Sequence, residues 1–323
     1  MRAVWYDRPG PAAEVLQVGE MPDPEPGPGE VRVRVSYSGV NPGDTKKRLD
    51  WVGLGMPYPR IIPHSDGAGT IDRAGAGVTP SRIGERVWIY GAQSYRPFGT
   101  AAEYTVVPAA QAVRLPDSVD DLTGACLGIP GVTAHRAVFA DGPVAGKTLL
   151  VQGALGAVGS LAAQLARRAG ARVLVTVRRS AELSLLRGEA MQQAVALDEE
   201  PIEAIRALVP DGVDRIIEVA FSDNAELDAA VARNNTVIAA YATRDDRPEI
   251  PFWPMLFNNV TIRLLGSDDF TAEAKQAAAV DLTAAAAEGC LAIPVISPLP
   301  LAQAAAAHDQ VDAGIRQRVL LEI

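Results

Sequence analysis

Leu149-Leu-Val-Gln-Gly-Ala-Leu-Gly-Ala-Val-Gly-Ser160 is the stretch on which the fold turns. Thr148 to Gln152 is a continuous apolar run suited to a strand buried on both faces. From Val158 to Arg168 the apolar residues recur on a helical period, and Gly170 is placed to end the helix. Strand, glycine turn and helix in that order are the context of a dinucleotide fingerprint. Small residues at Gly153, Ala154 and Gly156 let the backbone approach a pyrophosphate, whose charge the helix N-terminus around Ala157 and Val158 stabilises. Gly159 lets the helix pack close to the strand. Ala154 occupies the position of the first glycine, giving Ala-x-Gly-x-x-Gly. Leu149 to Ala166 carries no charge and so imitates a membrane span. Its three glycines and Gln152, Ser160 and Gln164 divide it into a strand-like and a helix-like half, which fits a buried strand–turn–helix instead.

Working outward, Ala171 to Val177 is a second buried strand. About 20 residues after such a turn an acid would bind the ribose hydroxyls of NAD. Here the strand ends Thr176-Val-Arg178-Arg179-Ser180, with two guanidinium groups, which match a phosphate bidentately. NADPH is therefore expected over NADH. A helix over Ala181 to Leu186, a strand at Ala194 to Leu197, a helix at Pro201 to Val209, and strands at Val213 to Val219 and Thr236 to Ala240 continue the alternation of a parallel sheet. Thr271 to Glu288 and Leu301 to Asp309 read as helices and Arg318 to Ile323 as a closing strand. Upstream of about Leu122 the texture is β-rich. Met21 to Gly29 holds too many prolines for helix and must be an extended connection. Val31-Arg-Val-Arg-Val-Ser-Tyr37 alternates with period two, as a half-buried strand does. Short strands at Gly67 to Ile71, Arg86 to Tyr90 and Ala102 to Val107 suggest a small barrel or sandwich.

Composition bounds the function. A chain of 323 residues suggests about two domains; 48% apolar and 21% charged residues are the balance of a globular protein. With 30 Lys+Arg against 39 Asp+Glu the formal net charge is −9. No basic run offsets it, so no nucleic-acid partner is expected. No membrane partner is expected either. The charged start Met1-Arg-Ala-Val-Trp-Tyr-Asp-Arg8 lacks the apolar stretch of a signal peptide, and Cys126 and Cys290 read as two buried thiols of a cytoplasmic protein. His64, His135 and His308 are mutually distant in sequence. His64-Ser-Asp66 offers two potential ligands and no third, so no metal site is expected.

The chain resembles the zinc-independent quinone oxidoreductases (zeta-crystallin-like) of the medium-chain dehydrogenase/reductase superfamily. The carriers are Pro22-Asp-Pro-Glu-Pro-Gly-Pro-Gly-Glu30, Gly39-Val-Asn-Pro-Gly-Asp44, Ser65-Asp-Gly-Ala-Gly69, Gly84-Glu-Arg-Val87, Ala102-Glu-Tyr104, Val132-Thr-Ala134 and Gly153-Ala-Leu-Gly-Ala-Val-Gly159. The resemblance implies an α/β protein with a GroES-like β-rich domain over residues 1–124, completed by 267–323. A Rossmann domain with a doubly wound parallel sheet would occupy 125–266, with an active-site cleft at the junction. It also implies a homodimer through Rossmann edge strands, with Val260 to Leu265 the candidate strand. Carried over by position, Asn41 and Asp44 would lie beside nicotinamide and substrate, and Thr133 near the nicotinamide. Gly156, Ala157, Val158 and Gly159 would form the pyrophosphate turn, Thr176, Arg178 and Arg179 the 2′-phosphate end, and Ala240, Tyr241 and Ala242 the border of the nicotinamide ring. Departures are Lys46 for a tyrosine, His64 for a glycine, His135 for a tyrosine, no tyrosine near Leu197-Asp198 where relatives have one touching the 2′-phosphate, and Gln317-Arg318 for a Gly-Lys.

Hydride transfer to an electron-poor acceptor needs no nucleophile and no metal; the protein orients the reactants and excludes water. The expected activity is an NADPH-dependent reductase of a quinone or of an α,β-unsaturated ketone or acyl group. Asn41, Asp44, Lys46, His64 and His135 are the polar groups of the pocket, with Lys46 or a histidine a candidate to stabilise developing negative charge. A dedicated enoyl reductase, and a non-catalytic NADPH-binding structural or redox-sensing protein, stand as alternatives.

Overall fold

The computed structural model describes residues 1–187 and 193–323. The chain forms two compact units. One comprises Met1–Val132, Phe270–Gly289 and Ile293–Ile323; the other comprises Thr133–Asp269 and Cys290–Ala292.

The first unit opens with strand β1 (Arg2–Trp5), helix α1 (Ala12–Val15) and strand β2 (Gln17–Glu20), β1 and β2 pairing antiparallel. The long β3 (Glu30–Val40) follows the proline-rich connection and leads through α2 (Pro42–Arg48) to β4 (Asp66–Ala74), β5 (Arg86–Ile89), β6 (Tyr104–Pro108) and β7 (Ala112–Arg114), then α3 (Asp121–Gly124). β3 is less half-buried than its alternation predicts. Arg32, on the face expected to meet solvent, is buried because Asp72 grips it with two bonds of 3.0 and 2.6 Å, Pro24 accepts a third, and Tyr104 lies 4.6 Å from the guanidinium. The proline-rich segment thus helps cover the polar side of β3.

The second unit starts with α4 (Ile129–Phe139, entered from the first) and holds β8 (Thr148–Val151), α5 (Ala157–Arg168), β9 (Arg172–Val177), β10 (Ala194–Ala196), α6 (Pro201–Leu208), β11 (Val213–Glu218), α7 (Phe221–Val231), β12 (Ala232–Ala240), α8 (Phe252–Phe257) and β13 (Thr261–Leu264). The sheet order is β10-β9-β8-β11-β12-β13 and every pair is parallel. Counted from β8, that is 3-2-1-4-5-6, the doubly wound order, with its reversal between β8 and β11. Val173, Leu174, Val175 and Val177 of β9 are all buried, each contributing about 1.5–3 kcal/mol by leaving water. Gly170, at φ +81°, ends α5 as expected.

The chain returns to the first unit through α9 (Ala272–Ala287), β14 (Leu299–Pro300), α10 (Ala304–Asp312) and β15 (Val319–Glu322), the last pairing with β3. The order there is β14-β15-β3-β4-β5-β7, with β6 also on β3.

Three local expectations change. Ala181 to Leu186 is not an α-helix: Ser180–Leu185 is a 3₁₀ segment, closed by i→i+3 bonds such as Leu186 N–H to the Leu183 carbonyl. β12 begins four residues before Thr236, whose hydroxyl holds the Val213 carbonyl where the strand pairing shifts register. Cys126 is buried, donating to the Leu122 carbonyl, but Cys290 is exposed, because it follows Gly289 in irregular chain past the end of α9.

Candidate functional site

In the first unit, Asn41-Pro42 starts α2. Proline at the first helical position costs no hydrogen bond, and Asp44, three residues on from the cap, accepts from the Asn41 N–H at 2.8 Å. That cap fixes the Asn41 side chain. Its Nδ2 donates to Asp66 Oδ2 at 2.7 Å, and its Oδ1 accepts from Arg318 Nη1 at 2.8 Å. Arg318 also donates to Asp66 Oδ2 at 2.7 Å and to the Val40 carbonyl, while Asp66 Oδ1 accepts the Ile129 N–H at 2.6 Å. A Cβ at Gly39 would stand 2.2 Å from Arg318 Nη2, so glycine there makes room for the guanidinium. Asp66 and Arg318 are central to this buried network, yet sequence reasoning named neither as a site residue. Only the Ser-Asp-Gly motif and the Gln317-Arg318 departure hinted at them.

Burial and the nearby Asp66 charge raise the Asp44 carboxyl to about 7. Burial also raises Asp66, against Arg318 and its other donors. Lys46 is half-buried, its Nζ 5.2 Å from the centre of the exposed Trp51 ring.

His64 is fully buried at φ +77°, a left-handed backbone that glycine adopts without strain. Its ring is tied on both sides. Thr100 donates its one hydroxyl proton to the Asp66 carbonyl, so Ser38 must donate to Thr100 and accept from His64 Nδ1. His64 Nε2 is then an acceptor, 2.9 Å from His308 Nε2, which donates. The direct substrate-facing role expected for His64 is corrected accordingly: both ring nitrogens are engaged and the ring has no exposure, so no nitrogen is open to an acceptor.

Burial holds His64 well below its usual range, with His308 and Arg318 adding to the effect, and drives His308 to about 3 with the help of Arg48. Unfolded histidines protonate near 6.5, so the native state loses stability as pH falls below that value, at about 1.4 kcal/mol per pH unit for each histidine. Asp44 works in the opposite sense, losing stability as pH rises from 3.8 toward 7. His308→Gln keeps a donor for His64 and removes one titrating ring. Urea melts between pH 6.5 and pH 4 are expected to show the variant's acid slope smaller by about one proton. Equal slopes would refute the assignment.

In the second unit the glycine turn takes the predicted form. Gly153 has φ +69°, and a Cβ there would lie 2.9 Å from Val219 Cγ1. A Cβ on Gly159 would lie 2.4 Å from the Gly153 carbonyl oxygen, and one on Gly156 3.3 Å from the same atom. Gly156 caps α5 without a side chain, so the N–H groups of Ala157, Val158 and Gly159 head the helix. Thr176 joins strand and turn: its hydroxyl accepts the Gly153 N–H at 3.2 Å and its carbonyl accepts the Ala154 N–H at 3.0 Å. Arg178 and Arg179 are exposed at the end of β9. Acids hold the backbone beside them: Glu182 accepts the Arg178 N–H, and Asp198 accepts both N–H and hydroxyl of Ser180. Ala240 ends β12 buried, and the Tyr241 N–H bonds the Glu218 carbonyl at 3.0 Å. Burial and the Glu218 charge push the Tyr241 phenol up. Thr133 and His135 are buried on α4, His135 against Phe139 with ring centres 4.8 Å apart. Among the described residues no three His, Cys, Asp or Glu side chains converge as a metal site would require.

The alcohol dehydrogenase GroES-like domain family matches residues 27–117, and the zinc-binding dehydrogenase family matches 157–284. Among characterised relatives, the quinone oxidoreductase of Mus musculus is 31% identical over 289 residues, covering 87% of this chain and 84% of that one. The Homo sapiens quinone oxidoreductase is 30% identical over 287 residues with the same coverage. Among solved structures, an NAD-dependent alcohol dehydrogenase superposes with a TM-score of 0.87 at 25% identity, over 100% of both chains. A mycobacterial protein complexed with NADPH superposes with a TM-score of 0.84 at 24% identity, also over 100% of both. The chain is an oxidoreductase and belongs to the zeta-crystallin-like quinone oxidoreductases of the medium-chain dehydrogenase/reductase superfamily.

Proposed function

We propose that this chain is an NADPH-dependent, metal-free reductase of a quinone or another conjugated carbonyl compound. The observation that carries the reading is the glycine turn heading α5, where a Cβ on Gly153 or Gly159 would clash and one on Gly156 would be tight, with two exposed guanidiniums at the end of the next strand. A pyrophosphate fits such a helix start. Arg178 and Arg179 are charged for a 2′-phosphate, and they would have to outweigh Glu182 and Asp198 close by. The mouse and human relatives, named for quinone, support that acceptor class.

NADPH, when bound, supplies a hydride to an acceptor already poor in electrons. The chain's residues then have to orient and to manage charge. Gly156 to Gly159 and Thr176 would hold the pyrophosphate, and Ala240, Tyr241 and Thr133 would border the nicotinamide. Asn41, clamped by Asp66 and Arg318, presents a fixed edge. Asp44, near 7, can release or take up a proton at neutral pH. Lys46 offers positive charge to an oxygen gaining electron density.

A steady-state assay with NADPH against quinones and enones is expected to show cofactor oxidation with at least one class; none with either would overturn the reading. Deuterium from labelled cofactor appearing on substrate carbon would identify reduction of a conjugated C=C bond, as in an enone or enoyl substrate, over reduction of a quinone. The proposal includes a homodimer. β13 is an edge strand whose Leu264 is 76% exposed, and Phe252, Trp253 and Phe257 of α8, just before it in sequence, are exposed too. Light scattering should give twice the chain mass, and a monomer would exclude that pairing.

A further inference from the structure

Two carboxyl groups that the proposed chemistry does not use meet inside the second unit. Glu218 ends β11 and Asp228 lies on α7; both are fully buried. Glu218 accepts the Ala220 N–H and both of its oxygens accept Asn224 Nδ2 at 3.1 Å. Asp228 Oδ1 accepts Gln152 Nε2 at 3.1 Å, whereas its Oδ2 is sealed from solvent and receives no N–H or O–H. The carboxyl that acts on Asp228 is that of Glu218, close enough for the two to share a hydrogen. The groups around the pair are Gln152 just after β8, Thr176 from β9, Asn224 from α7 and Tyr241 beyond β12; among the described residues no cation is a main influence on either carboxyl.

Two acceptors cannot bond each other, so one of the four oxygens carries a proton. Glu218 receives three N–H bonds and Asp228 one, so the proton belongs on Asp228 Oδ2, donated to Glu218. We infer that this shared proton positions the cofactor-binding edge of the sheet, making Asp228 and Glu218 positioning residues. The connections run both ways. From Asp228, Gln152 Nε2 leads through its Oε1 to the Thr176 hydroxyl at 2.6 Å, and that hydroxyl holds the Gly153 N–H of the glycine turn. From Glu218, the side chain fixes Ala220 and the carbonyl fixes Tyr241. Gly153 follows β8 and Ala220 follows β11, the two strands at the reversal of sheet order, where such folds bind their ligands. Burial raises both carboxyls, and the Glu218 charge raises Asp228 further. Loss of the proton would set two buried charges against each other and drive α7 from β11, loosening both turns.

The inference rests on the NADPH reading, and the experiment separates the two. NADPH affinity of the full chain is measured from neutral to alkaline pH, for the wild type and for Asp228→Asn, whose amide donates to Glu218 without titrating. Wild-type affinity is expected to fall at least about tenfold on the alkaline side (~1.4 kcal/mol). Asp228→Asn should stay within about threefold of wild type at neutral pH (~0.65 kcal/mol) and remain flat above it. A flat wild-type profile, or an Asp228→Asn profile that falls like the wild type, overturns the inference. If NADPH does not bind at neutral pH, the cofactor reading fails and the pair is judged by infrared spectroscopy just above pH 7, where Asp44 is largely ionised. A protonated-carboxyl band that the wild type shows and Asp228→Asn lacks upholds it; no band, or one common to both as Asp66 would give, refutes it. Should Asp228→Asn fail to fold, Glu218→Gln takes its place in the comparison.

Discussion

Gly159→Ala is expected to lower NADPH affinity by on the order of 100-fold (~2.7 kcal/mol) and to destabilise the fold by about 1–3 kcal/mol. In most helices this change stabilises, because alanine loses less backbone entropy than glycine. Here the sign reverses. The new Cβ would stand 2.4 Å from the Gly153 carbonyl oxygen and 2.9 Å from its carbon, and backbone cannot rotate away as a side chain can. Either α5 moves off the turn or the turn opens, and both withdraw helix N–H groups from the pyrophosphate. Gly43, on α2, is the control: a Cβ there meets nothing within 4 Å, so Gly43→Ala should stabilise by about 0.5–1 kcal/mol. Urea unfolding and NADPH titration of both variants check this. A Gly159→Ala protein that binds like wild type would show that α5 does not pack on the turn as described.

The second large effect is expected at Arg318. Arg318→Leu leaves Asp66 buried with Asn41 and the Ile129 N–H as its remaining donors, and removing one partner of a buried ion pair costs about 3–5 kcal/mol. Much of the cost is the stranded charge itself, so Asp66→Asn/Arg318→Leu should recover a large part of it. The double-mutant cycle from urea melts tests both statements. A single variant within about 1 kcal/mol of wild type would mean that the network does not hold Asn41 in place. The same variant should disturb Asn41 before any other proposed site residue, since Arg318 bonds both its side-chain oxygen and the preceding carbonyl.

The parts of this protein that were legible in the sequence are those encoded by neighbours. The apolar runs of β8 and β9 and the glycines between β8 and α5 specify a buried strand, a turn and a helix, and Asn41-Pro42 specifies a cap. These depend on periodicity and on local backbone geometry, which a short window contains. What was not legible joins distant positions. Asp66 and Arg318 are 252 residues apart and His64 and His308 are 244 apart, and no pattern around either member names its partner. His64 was read as an open candidate because burial of a polar ring is settled by what the rest of the chain brings to it. Cys290 was read as buried for the corresponding reason: composition favours buried thiols on average, and helix α9 ends just before this one. The end of β9 was legible in its two arginines but not in Asp198, which reaches Ser180 from the turn after β10.

That last juxtaposition makes cofactor choice the most direct trial of the account. Calorimetric titration of NADPH and of NADH into the wild type and into Arg178→Ala/Arg179→Ala should show NADPH preferred by the wild type. The double variant should lose that preference by on the order of 100-fold (~2.7 kcal/mol), through weaker NADPH binding with NADH little changed. Absence of heat with both nucleotides would contradict the cradle at Gly153 to Gly159, and an unaltered preference in the double variant would contradict the phosphate assignment.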